Sequence, residues 1–239
     1  MPLPKISTPT YELELPSTGQ EIQYRPFLVK EEKLLVLALE SENTKEITTA
    51  IKNVIKSCIQ TKNIKVESLP TFDIEYLFLN IRGKSVGEEI EVNVICPDDG
   101  ETYVPVKINI DEIQVQKNEE HTNKIQVDDN IVMQMKYPSL DQFIKNNFDF
   151  SGDTNMDQSF DLVASCIDKI FNDEEVWTSG DVTKKELIDF LEQMNSAQFK
   201  QIEKFFETMP KLSHSVKVKN PKTEVESEVV LEGLSSFFA

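Results

Sequence analysis

Glycine is scarce in this chain: seven residues in 239. Phosphate-cradling loops and nucleophile elbows both depend on clustered glycines, and no such cluster occurs. Histidine is scarcer still, with only His121 and His214. His121 lies in a polar stretch and His214 at the start of an expected strand. Neither accompanies a Ser or Cys nucleophile motif. Positive charge is also in short supply, with 25 Lys and Arg against 42 Asp and Glu, a net charge of −17. Such a chain is repelled by a nucleic-acid backbone. No apolar run approaches the roughly 20 residues that span a bilayer. Met1 to Pro9 lacks a signal-peptide core, so the chain is expected to stay in the cytoplasm where it is made. Three widely spaced cysteines fit a reducing compartment. Cys58 and Cys166 each sit among aliphatic residues and read as core.

What is present is clear periodicity. Ile74, Leu77, Phe78 and Ile81 fall at helical spacing, with Tyr76 and Leu79 on the other side. A helix apolar nearly all round is a buried one. Thr71 is placed to cap it, Asp73 and Glu75 suit its positive end, and Gly87 is placed to stop it. The period then changes to two. Ile90, Val92, Val94 and Cys96 share one strand face, Cys96-Pro97-Asp98-Asp99-Gly100 is a turn, and Val104 to Ile110 returns.

Before this centre, Thr10–Leu15 and Glu21–Arg25 read as a hairpin. A helix follows over Val29–Glu40, with Leu34, Leu35, Leu37 and Ala38 as its apolar side. Asn43 and Glu46 have capping-box spacing for the next helix. After the centre, 116–123 is polar and reads as a linker. Two short strands follow over Lys124–Met135. Then come a helix from Pro138 with Leu140, Phe143 and Ile144, a loop at Asp149–Asp153, and a helix from Asn155 to Phe171. Thr183/Glu186 and Asn195/Gln198 open two more helices. Val216, Val218, Val225, Val229 and Leu231 mark a closing hairpin.

The expected fold is therefore α+β, with helices packed on small antiparallel hairpins. The order of elements appears twice, giving halves at 1–115 and 124–239 about the 116–123 linker. Duplication and coincidence of common α+β patterns both explain that.

Cys96-Pro97-Asp98-Asp99 resembles half of a zinc ribbon, with Asp99 where the second Cys would stand. The matching turn, Asn220-Pro221-Lys222-Thr223, has no Cys. A structural zinc needs four ligands, so the hairpins read as ribbon-like without a complete metal site. Asp149-x-Ser151-x-Asp153-x-Asn155-x-Asp157 has calcium-loop spacing. Thr154 at position six and Phe160 at position twelve depart from that pattern, and helix capping explains the run better. No metal, cofactor or catalytic residue is expected.

Two features suit a partner. Asp173-Glu174-Glu175 precedes the only tryptophan, Trp177, which reads either as a binding anchor or as tucked between helices. The C-terminus carries Leu234, Phe237 and Phe238. Two readings stay open for it: docking into a partner's groove, or folding back on the chain's own core.

Several stretches carry a resemblance. They are Phe72-Asp73-Ile74-Glu75-Tyr76-Leu77-Phe78-Leu79 with Arg82-Gly83-Lys84-Ser85-Val86-Gly87, and Tyr24-Arg25-Pro26-Phe27-Leu28-Val29-Lys30-Glu31-Glu32. Met135-Lys136-Tyr137-Pro138-Ser139 and Leu231-Glu232-Gly233-Leu234 with Phe237-Phe238 belong with them. Together they resemble the baseplate hub and hub-assembly proteins of T-even-like contractile-tailed phages. The resemblance implies a non-enzymatic protein of baseplate hub assembly, as hub subunit or as assembly chaperone. Its partners would be other phage hub or tail proteins, without nucleic acid or membrane. It would act in the host cytoplasm during assembly and in the virion tail if it stays there. The competing reading is a zinc-ribbon-like adaptor or a small hydrolase.

Overall fold

The computed structural model describes residues 6–41, 43–139 and 156–237. Among them are six α-helices and four small antiparallel sheets of two to four strands, an α+β architecture. Contacts group the chain into two units, Met1–Gln116 with Lys211–Ala239, and Lys117–Pro210.

In the first unit, β1 (Tyr11–Glu14) and β2 (Glu21–Tyr24) form a hairpin. Helices α1 (Val29–Glu40), α2 (Thr44–Cys58) and α3 (Thr71–Val86) follow. Next come β3 (Glu89–Ile95), β4 (Tyr103–Asn109) and the short β5 (Gln114–Gln116). The chain returns to this unit for the strands Lys211–Lys219 and Glu226–Glu232 and a single 3-10 turn over Leu234–Phe237.

Helix α3 is the centre expected of it. Ile74, Leu77, Leu79 and Ile81 are completely buried. Pro70, not Thr71, holds the cap position, and Thr71 is the first helical residue. Gly87 ends the helix at φ 138°, a conformation that penalises any side chain, and its N–H bonds the Gly83 carbonyl. Asp73 is fully buried and accepts hydrogen bonds from the backbone N–H and hydroxyl of Ser17. That one carboxylate fastens the tip of the first hairpin to the start of α3.

Helix α1 spans the expected residues but turns a different face inward. Leu34 and Leu37 are exposed, while Glu31 and Ala38 are buried. Arg25 Nη2 donates to Glu31 Oε1 at 3.0 Å, and Leu28 N–H donates to Glu31 Oε2 at 2.6 Å. A charged group enters a core only when paired and hydrogen-bonded. This pair brings Glu31 inside and rotates the leucines out.

The second unit holds β6 (Lys124–Gln126), β7 (Val132–Met135), α4 (Met156–Ser165), β8 (Ile167–Phe171) and β9 (Val176–Thr178). Helices α5 (Lys184–Glu192) and α6 (Ser196–Thr208) complete it. The sheet order is β6-β7-β8-β9, and its core gathers Ile125, Met133, Met135, Val163, Ile167, Ile170, Leu187, Leu191, Ile202 and Phe205. The expected capping box on Thr183/Glu186 is present, and Asn195/Gln198, expected to open a helix, forms one as well. At Asn43/Glu46 in the first unit, Glu46 N–H donates to Asn43 Oδ1 at 3.4 Å.

Here the expected helix over 155–171 is corrected: it ends at Ser165, and Ile167–Phe171 is a strand. Ile167 and Ile170 are three apart, which mimics a helical face. The strand achieves that spacing through an irregularity opposite Gln134/Met135, with Met133 facing Ile170 and Met135 facing Ile167. The helix expected from Pro138, with Leu140, Phe143 and Ile144, lies outside the described residues beyond Ser139. So does the loop at Asp149–Asp153, and with it most of the calcium-like spacing.

The strands that close the chain are β10 (Lys211–Lys219) and β11 (Glu226–Glu232), and they pair as expected. β10 also pairs with β5, Leu212 against Val115, which was not expected. That pairing carries the closing hairpin back to the first unit, so the observed grouping differs from halves at 1–115 and 124–239. It also makes Gln116, expected at the start of a linker, the last residue of β5.

Candidate interaction surfaces

The tips of the two long hairpins, β3–β4 and β10–β11, are built alike. At the first, Cys96 N–H bonds the Thr102 carbonyl and the Cys96 carbonyl accepts from Gly100 N–H at 2.9 Å. At the second, Asn220 N–H bonds the Val225 carbonyl and the Asn220 carbonyl accepts from Glu224 N–H at 2.9 Å. Gly100 and Glu224 occupy the same left-handed conformation, φ 66° and 60°. The inward faces of both hairpins share one core, Ile90, Val92, Val94 and Cys96 against Leu212, Val216 and Val218.

A metal would join such tips in a zinc ribbon. Here hydrogen bonds do so. The buried Asn220 amide donates to Asp98 Oδ1 at 3.1 Å, Asp98 Oδ2 at 3.0 Å and Asp99 Oδ2 at 2.9 Å. Thr223 donates its hydroxyl to Asp98. Asp99 also accepts from the Thr102 hydroxyl and from the N–H groups of Thr102 and Glu101.

Asp99 is held well below the ordinary carboxylate range, first by the Thr102 hydroxyl, then by Thr102 N–H and Asn220. Asp98 is lowered by Thr223 and then Asn220. Burial, followed by the two carboxylates, pushes the Cys96 thiol up, away from the thiolate that a metal requires. The four ribbon positions are thus Cys96, Asp99, Asn220 and Thr223, a poor set for zinc, in which Asn220 already bonds Asp99 and Thr223 bonds the neighbouring Asp98. Among the described residues no group of three or more His, Cys, Asp or Glu could hold a metal ion.

The expected partner residues fare differently. Phe237 is buried at 2% exposure in the core of the first unit, beside Leu79, Ile90 and Val92. Of the two readings left open for this ring, it follows the one in which the chain's own core covers it. The Leu234 side chain and Phe238 lie outside what is described. Trp177 is half-buried on β9 and packs against the second unit's core. The acidic run before it is the β8–β9 turn, where Asn172 Oδ1 accepts from Glu174 N–H at 2.9 Å and Glu175 N–H at 2.7 Å. Asp173, Glu174 and Glu175 are exposed, and so is Val176.

Two further sites were not legible in the sequence. His121, in the stretch expected to be a bare linker, is half-buried in the second unit. Its Nδ1 lies 2.9 Å from Thr208 Oγ1 and its Nε2 3.0 Å from Tyr137 Oη. Thr208 gives its own proton to the Lys204 carbonyl, so its oxygen can only accept from the ring. That fixes the tautomer: Nδ1–H donates to Thr208, and Nε2 accepts from Tyr137. Burial lowers the imidazole pKa.

The second is the outer face of α1. Val29, Leu34, Val36 and Leu37 are 80%, 52%, 47% and 52% exposed. Isolated exposed leucines are ordinary, but Val29, Val36 and Leu37 fall along one side of this short helix and form a stripe, with Leu34 away from it.

No described helix is long and apolar enough to cross a membrane. A family model described as "T4 bacteriophage base plate protein" matches residues 8–239. No curated protein and no solved structure matches.

Proposed function

This chain belongs to the family of T4 bacteriophage base plate proteins, and we propose that it acts in building the central hub of the baseplate. The observation that carries this reading is the extent of the match, which takes in both units and nearly the whole chain. The stretches that resemble hub proteins hold structural devices. Arg25 and Glu31 form a buried pair, Asp73 fastens the first hairpin, and Gly83 lets α3 approach Ile110, which a Cβ there would meet at 3.3 Å. These devices preserve a shape, as an assembly component requires. We read the protein as a structural or assembly component rather than a catalyst. It works in the host cytoplasm as tails form and in the virion tail if it is retained.

The partner surface proposed is the β8–β9 turn. Exposed Asp173, Glu174 and Glu175 beside Val176 and the outer edge of Trp177 suit a hub protein with a basic patch around an apolar centre. Tagged protein recovered from infected cells is expected to bring a hub protein with it. Reversing the three acidic charges to Lys is expected to weaken that capture and its salt dependence. Recovery of no baseplate protein would overturn the hub reading. Capture indifferent to the charge reversal would move the contact elsewhere. Mass spectrometry of purified virions separates a retained subunit from a factor that leaves.

A further inference from the structure

Helix α1 of the first unit presents a stripe that no described residue of that unit covers. Residues seven apart lie on one stripe of a helix, two turns and about 10 Å from each other. Val29 and Val36 are so related, and so are Lys33 and Glu40. Leu37 lies beside them. Lys30, on the flank, already pairs with Glu31 at 3.5 Å. Lys33 and Glu40 are both exposed, and no ion pair within the described residues engages either. After Val29 at its N-terminal end, the stripe runs positive at Lys33, apolar at Val36 and Leu37, and negative at Glu40.

That order decides what fits. A parallel copy of the helix would set Lys33 against Lys33. An antiparallel copy related by a two-fold axis passing between Val36 and Leu37 sets Lys33 against the other copy's Glu40. The same axis sets Val36 against the other copy's Leu37. Val36 and Leu37 meet at the centre, with an opposite-charge pair on either side of them, and Val29 lies beyond the paired stretch. A face complementary to itself in this way is what a two-fold interface requires. Antiparallel helices also bring each positive end of the helix dipole to the other's negative end.

We infer that the outer face of α1 is a self-association surface, on which a second copy of this chain docks through its own α1 in antiparallel register. The net charge of −17 does not prevent this at physiological salt. Charges more than about 8 Å apart are largely screened there, and the local stripe is nearly balanced. A single 12-residue helix from each copy gives an interface below the ~1,200 Å² of stable complexes. The dimer is therefore weak and grows in with concentration.

Sedimentation velocity of the full chain over a wide concentration range tests this. A monomer–dimer equilibrium is expected, and Leu37→Asp is expected to raise its dissociation constant at least about tenfold. Leu37 is exposed in the monomer, so an unchanged far-ultraviolet circular dichroism spectrum and melting curve show that the variant still folds. Lys33→Glu and Glu40→Lys should each weaken the dimer about two- to fivefold, as exposed ion pairs do. The double variant should recover wild-type association, because the swapped charges again face each other. A monomer at every concentration overturns the proposal. So does a dimer indifferent to Leu37→Asp, or a double variant no better than the singles. Capture of a different baseplate protein through this face, with no self-association, overturns it as well while leaving the hub assignment intact.

Discussion

Asn220 donates its side-chain amide to Asp99 at 2.9 Å, joining two hairpin tips 121 residues apart in sequence. The same amide reaches Asp98. Three side chains thus do the work that a metal and four ligands do in a ribbon.

Replacing Asn220 by Ala removes the donor from a fully buried position and is expected to cost about 1–3 kcal/mol in denaturant unfolding. Asn220→Asp should be worse at neutral pH, where a third carboxylate faces Asp98 and Asp99, and should recover partly on acidification. Equal stability of wild type and both variants would mean the tips are held by the shared core alone.

The clasp also has a pH signature. Asp98 and Asp99 have folded pKa values below their ordinary 3.8. The native state therefore binds fewer protons than the unfolded one in this range. Their contribution is fully present above about pH 4 and is lost as pH falls toward the folded values. Asp99→Asn should flatten that part of the acid limb in a pH series of melts, and an unchanged limb would count against the hydrogen bonds described.

His121 acts with the opposite charge and at a higher pH. Its folded pKa lies below the ordinary 6.5 because burial disfavours the imidazolium. Its stabilisation is present above about pH 6.5 and is lost as pH falls from there toward the folded value. Proton and nitrogen NMR should find the neutral ring with its proton on Nδ1. A ring protonated on Nε2 at pH 7.5 would contradict the tautomer deduced from Thr208.

Glu31 and Arg25 form a nearly buried pair, with side-chain exposures of 4% and 14%. Arg25→Ala leaves the carboxylate without its partner, and a loss of roughly 3–5 kcal/mol is expected. Phe237→Ala opens a hole in the first unit's core, also at about 3–5 kcal/mol. Truncation after Glu232 should therefore lower the melting temperature of the isolated protein. A truncated chain that melts like the intact one would return the tail to the partner-docking reading.

Elements whose signals are local were legible in the sequence. The bounds of α1 and the capping boxes on Thr183 and Asn195 depend on residues within one turn, and the structure has them. Which face of α1 turns inward was not legible, because it rests on Arg25 pairing with Glu31 across a bend, against the hydrophobicity of Leu34 and Leu37. The strand β8 was hidden because an irregularity gave Ile167 and Ile170 a helical spacing. The return of β10 to β5 leaves no mark on period or composition. It joins Leu212 to Val115 across nearly a hundred residues. The ribbon shape was suggested by Cys96-Pro97 and Asn220-Pro221, but only the folded chain reveals that Asn220 takes the metal's part.

We propose that this protein takes part in building the baseplate hub. Electron microscopy of tails from phage lacking the gene tests it most directly. The expected result is unfinished or hubless baseplates, with normal particles restored when the intact chain is supplied. Complete baseplates and contractile tails assembled at normal yield in its absence would contradict the claim.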